Sequence, residues 1–194
     1  HIIPESLGNK HHVLLAGYVC DECNHYFAIK IEKELLAQPY FISMRFRNEI
    51  LTKKGKLVKE KMIFPDALKS CEVTMQTTND GLIASLEDKE LYRLIKSGKT
   101  RTMIAPYIPA PESPNTIMSR FLTKCAYEYF LYNMGEDKYN LCVQELLGSE
   151  VDILKDLREY ARYGKGKYWQ YNQRRIYSEG DCFFNQNENS VYEI

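Results

Sequence analysis

Cys20-Asp21-Glu22-Cys23 opens a stretch, NHYFAIKIEKELLA, in which Phe27, Ile31 and Leu35 recur every fourth residue until Pro39. That spacing places three apolar side chains on one face of a helix. Residues 1–19 hold short apolar runs broken by Pro4, Gly8 and Gly17, with VLLAGYVC the most strand-like, and predict a loop and a small hairpin. Loop, hairpin, cysteine pair and helix make a unit of about forty residues, too small to be held by its own core and normally stapled by a metal. The C-x2-C spacing lets the thiolates of Cys20 and Cys23 turn onto one zinc ion. A structural zinc takes four ligands, so a second pair is required. His11, His12 and His25 are the local candidates, and an upstream cysteine pair is the other source; the competing explanation is two ordinary buried thiols.

Composition narrows the class. The 194 residues carry no net charge, so contact with nucleic acid has to come from local basic patches rather than from a global field. No apolar run approaches the roughly 18 residues of a membrane span, which excludes a membrane-spanning chain. The six cysteines are scattered except for the first pair, a pattern that fits free thiols in a reducing cytoplasm better than a secreted disulfide framework. The expected localisation is cytoplasmic.

Beyond Pro39 the pattern changes. MRFRNEILTKKGKLVKEKM carries seven Lys or Arg against two Glu, with a turn expected at Lys54-Gly55. EVTMQTTNDGLIASL predicts a β-hairpin around Asn79-Asp80-Gly81. EDKELYRLIKSG predicts a short helix closed by Gly98, with acids at its start and lysines at its end, as the helix dipole prefers. Pro106, Pro109, Pro111 and Pro114 mark a stiff connector. A strong helix follows, with Ile117, Phe121, Cys125 and either Tyr129 or Phe130 on one face. Further helices are expected at DKYNLCVQELLG and at VDILKDLREYARYG, where Leu157 and Ala161 align with Ile153 or Leu154. The tail after Gly164 is aromatic and polar, and is expected to be strand and loop.

HIIPESLG followed by VCDECNHYFAIKIE resembles the HNH endonucleases, within them the bacterial group whose motif runs Glu-His-Ile-Ile-Pro-x-Ser-Leu-Gly and later Cys-x2-Cys-Asn-x-Tyr-Phe. The likeness is close over about the first 37 residues and looser beyond, in RFRNEILTKKGK and LREYARYG. It implies a ββα-metal (His-Me finger) unit that hydrolyses phosphodiesters. His1 aligns with the general base that takes a proton from the attacking water, work suited to an imidazole titrating near neutral pH. Asn24 aligns with the helix position that ligates the catalytic divalent ion, usually Mg²⁺, through a hard amide oxygen. Cys20 and Cys23 align with half of the family's structural zinc site. The bland alternative for Asn24 is a helix cap. The family's middle asparagine, which orients the histidine, has three stand-ins here: Asn9, His11 and His12.

The acidic metal ligand that precedes the motif histidine in the family is not in the sequence, nor is the upstream cysteine pair. The expectation is a fragment that begins inside the Glu-His motif. A mature N-terminal histidine can also bind copper, as in secreted polysaccharide oxygenases, but those are β-sandwiches, unlike this helix-rich chain.

Two patches are candidates for phosphate contacts. The first is Arg45, Arg47, Lys53, Lys54 and Lys56, extended by Lys59 and Lys61. The second is Arg158, Arg162, Lys165, Lys167, Arg174 and Arg175, interleaved with Tyr160, Tyr163, Tyr168, Trp169 and Tyr171, where aromatics could stack on bases. A solvated charged face, with Trp169 in the core, is the competing explanation for both.

The expected architecture is α+β: a zinc-stapled ββα-metal unit over residues 1–38, then a mixed, helix-rich α+β domain over residues 39–194. The expected function is DNA endonuclease, with Mg²⁺ or another divalent ion and a structural Zn²⁺ as cofactors. The rival from another class is a non-catalytic, zinc-stapled nucleic-acid-binding or regulatory module. A protein partner for residues 39–194 is compatible with the sequence but is not specified by it.

Overall fold

The computed structural model describes residues 1–148, 152–166 and 168–172. Its elements run α1 (Asp21–Phe27), a π-helical stretch (Ala28–Glu32), α2 (Lys33–Leu36), α3 (Pro39–Arg47), β1 (Glu60–Phe64), β2 (Lys69–Thr78), β3 (Gly81–Leu86), α4 (Lys89–Lys96), α5 (Thr116–Gly148) and α6 (Asp152–Tyr163). The fold is mixed α+β, with one three-stranded antiparallel sheet in the order β1-β2-β3.

The helix expected after the cysteine pair forms, and its apolar face is buried as its spacing requires. Phe27, Ile31 and Leu35 pack with Phe41 of α3, Phe121 of α5 and Ala161 of α6. Pro39 has a second role, since it occupies the first turn of α3, where a missing N–H costs nothing. α3 then bridges two cores. Phe41 joins the helical cluster, and Phe46 joins Met62, Phe64, Val73 and Leu91 between sheet and helix.

The hairpin and the short helix also match expectation. Thr78 pairs with Gly81 across a two-residue Asn79-Asp80 turn, and Gly81 takes φ 121°, which a side chain would resist. Asp88 caps α4 by accepting from the Leu91 amide at 2.9 Å, and Gly98 follows at φ 75°. The turn at Lys54-Gly55 is closed by Thr52 and Lys56, whose backbones bond at 2.8 Å.

Three expectations are corrected. VLLAGYVC forms no strand: Val13 and Leu15 are exposed, the Tyr18 amide turns back to the Leu15 carbonyl, and among the described residues the one backbone–backbone bond to residues 1–3 from this region is from Ile2 to His12. A strand needs a ladder of partners, and a single bond supplies none. DKYNLCVQELLG is not a separate helix, because α5 runs unbroken from Thr116 to Gly148. Gly135 costs a long helix only about 1 kcal/mol, too little to break it. The apolar face of α5 does not continue to Tyr129 or Phe130, which are exposed; between Lys124 and Asn133 the buried positions are Lys124, Glu128 and Leu131. Two opposite charges four residues apart can be buried as a pair, which a hydrophobic pattern does not register.

Candidate active site

Three residues turn at Glu5–Leu7, with Gly8 closing the turn at φ 91°. The chain between Ile3 and His12 is then tied by one side chain. Asn9 donates to the Ile3 carbonyl at 2.9 Å and the His12 carbonyl at 3.0 Å, and its Oδ1 accepts from the amides of His11 and His12. Among the three stand-ins for a loop-organising residue, Asn9 makes these bonds. His12 instead sets its ring edge-on to Tyr132 at 5.8 Å.

His1 and Asn24 line one cavity of about 670 Å³. Asn24 faces it from the first turn of α1, together with Glu32 from the π-helical stretch and Arg45 and Lys53 from beyond Pro39. Four residues singled out separately in the sequence thus meet at a single concavity. Arg45 is half-buried there, burial holds its guanidinium below the usual value, and its Nε has no hydrogen-bond partner among the described residues. A second concavity of about 890 Å³ shares Glu5, Ser6 and Lys53 with the first and extends past Lys10, Thr52 and Gly55.

The remaining basic residues divide. Lys54 and Lys56 are exposed on the Thr52–Lys56 turn. Arg47 donates to the Pro106 carbonyl at 3.1 Å, and Lys59 is paired with Glu87 at 2.6 Å. In the second patch Tyr160 is buried with its hydroxyl on Ser119, while Tyr168 and Tyr171 tie the proline connector through Ser113 and Pro111. These tyrosines are tethers. Lys165 lies over the Tyr163 ring, and Lys167, Arg174 and Arg175 lie outside the described residues.

The cysteine pair sits at the start of α1. Cys20 Sγ accepts from the Cys23 amide at 3.4 Å, which lowers its thiol pKa, whereas burial raises that of Cys23. Arg162 of α6 donates to Cys23 Sγ and to Glu22. Among the described residues no three His, Cys, Asp or Glu side chains gather as a metal cluster. Among the described residues Cys20 and Cys23 gain no third such ligand, so the pair itself supplies two of the four ligands that a structural zinc takes. A magnesium ion makes lesser demands, because it keeps several waters and takes one or two protein oxygens plus substrate phosphate. Asn24, which lines the cavity, carries an amide oxygen of the kind such an ion takes.

Sequence patterns missed Glu32 and Lys124. Lys124, on α5, lies 3% exposed beneath the first residues of the chain, with Glu32 and Glu128 on its ammonium at 3.1 Å each. The available signal was the Lys124-to-Glu128 spacing of four.

Residues 1–39 match the family described as HNH endonuclease. No curated protein and no solved structure matches the chain. The resemblance carried by HIIPESLG and CDECNHYF is thus recovered over the stretch that holds His1, Asn24 and the cysteine pair, and the family it names acts on nucleic acid. Among the described residues no helix is long and apolar enough to cross a membrane.

Proposed function

We propose that the protein is a divalent-metal-dependent endonuclease that hydrolyses phosphodiester bonds in DNA, with its reactive centre in the cavity shared by His1 and Asn24. One observation carries this: a proposed base, a proposed ion ligand and two cations suited to phosphate, Arg45 and Lys53, line the same concavity. His1 takes the proton from the attacking water, which an imidazole does well near neutral pH. Arg45 and Lys53, the two cations on the cavity wall, bind the phosphate beside the scissile bond. Asn24 holds the divalent ion, whose contribution when bound is to stabilise charge on the phosphate and the leaving oxygen. Asn9 keeps the loop behind His1 in register.

Nicking of supercoiled plasmid, with Mg²⁺ and with chelator, tests this. Wild type should nick only with the divalent ion, and Asn24→Ala should require a much higher concentration of it. DNA binding without nicking at any divalent ion would instead support the non-catalytic binding module.

A further inference from the structure

We propose that Lys124, far outside residues 1–39, is a positioning residue for the nuclease centre: its buried ammonium holds the backbone that carries His1 and neutralises Glu32 on the cavity wall. This rests on the assignment of His1 as the base. The Lys124 Nζ donates to the Ile2 carbonyl at 2.9 Å and to the His1 carbonyl at 3.3 Å, and Cys125 Sγ donates to the same Ile2 carbonyl at 3.3 Å. The Ile2 side chain is itself buried, so both the side chain and the carbonyls flanking the His1–Ile2 link are fixed. Burial alone would lower the lysine pKa, but Glu128 and Glu32 hold it above its usual value, and the group stays charged.

Packing does not explain a lysine at this position. Burying an ammonium is expensive unless it is paired and hydrogen-bonded, and a methionine would fill similar space without that cost. Besides its pairing with Glu128, the Lys124 ammonium is spent on the two residues at the proposed base and on a carboxylate that lines the same cavity as Asn24. Without Lys124, Glu32 would present an uncompensated negative charge where the phosphate has to sit, and the His1 backbone would lose its fixed donor.

The test compares Lys124→Met, Lys124→Arg and the double variant Lys124→Met/Glu128→Gln, which removes one of the two carboxylates left unpaired and so protects folding. Two quantities are read: kcat and KM for Mg²⁺-dependent plasmid nicking, and the imidazole signals of the folded proteins by NMR, with His1 assigned through its loss in His1→Ala. Misplacing the base should lower kcat by about tenfold or more, and the uncompensated Glu32 charge should raise KM for the polyanionic DNA as well. The His1 signal should shift or broaden in Lys124→Met while that of His25 stays in place, and Lys124→Arg, which keeps the charge, should retain more activity. The double variant should regain stability without regaining kcat. An unchanged His1 signal in the folded double variant, or a kcat that returns with stability, would overturn the proposal. Should wild type fail to nick, the nuclease assignment falls, and the His1 signal still decides whether Lys124 fixes that segment.

Discussion

Asn9 concentrates four hydrogen bonds in one short side chain, all to backbone of the loop that follows His1. Asn9→Ala should cost about 1–3 kcal/mol, since each net bond is small but the freed backbone groups lose their partner; urea denaturation measures this, and a change below about 0.5 kcal/mol would contradict it. Glu128 is the other residue whose role is energetic. Burial pushes its carboxyl from 4.5 up to about 7, against the attraction of Lys124. The folded chain therefore holds this proton more tightly than the unfolded one, so its effect on stability has the opposite sign to that of a salt-bridged surface acid. Stability should be highest below about pH 4.5 as far as this group is concerned, and should fall as pH rises to about 7. Glu128→Gln should remove that fall, worth on the order of 2 kcal/mol, and denaturation at pH 5 and pH 8 reads it. The HNH likeness over the stretch that holds His1 and Asn24 was legible because a motif fixes residue type and spacing together. Lys124 and Glu32 were not, because their meeting depends on α5 crossing the first residues of the chain, and a charged residue in an amphipathic helix ordinarily faces water.

Among the elements, helix α4 and the hairpin were legible because their signals are local: a cap at Asp88, and Asn79-Asp80-Gly81 between β-branched residues. VLLAGYVC misled because β-propensity describes a fit to neighbouring strands, and this segment has none along it among the described residues. The basic turn between α3 and β1 has a defined shape, with Lys53 turned to the cavity and Lys54 and Lys56 exposed beside it. Replacing all three by Gln should weaken DNA binding evenly across sequences and flatten its salt dependence, by about one unit of slope for every phosphate that is no longer neutralised. An unchanged slope in a salt titration would remove this turn from the interface.

For the whole molecule, the unit that matches the HNH family does not keep its core to itself. Ile31 and Leu35 are packed against Phe121 of α5 and Ala161 of α6, and Arg162 reaches from α6 to Cys23 and Glu22. The α+β class was legible from a hairpin followed by helices, whereas this dependence was not, since a periodic apolar face shows that a helix is covered and not by what. Phe121→Ala should cost about 3–5 kcal/mol and loosen the N-terminal unit with it. The proposed cleavage of phosphodiesters in the cavity holding His1 and Asn24, with His1 as the base, is read by plasmid nicking with His1→Ala, with and without added imidazole. Mg²⁺-dependent nicking should be almost completely lost in His1→Ala and partly restored by imidazole in solution; full activity of His1→Ala without imidazole would rule His1 out as the base.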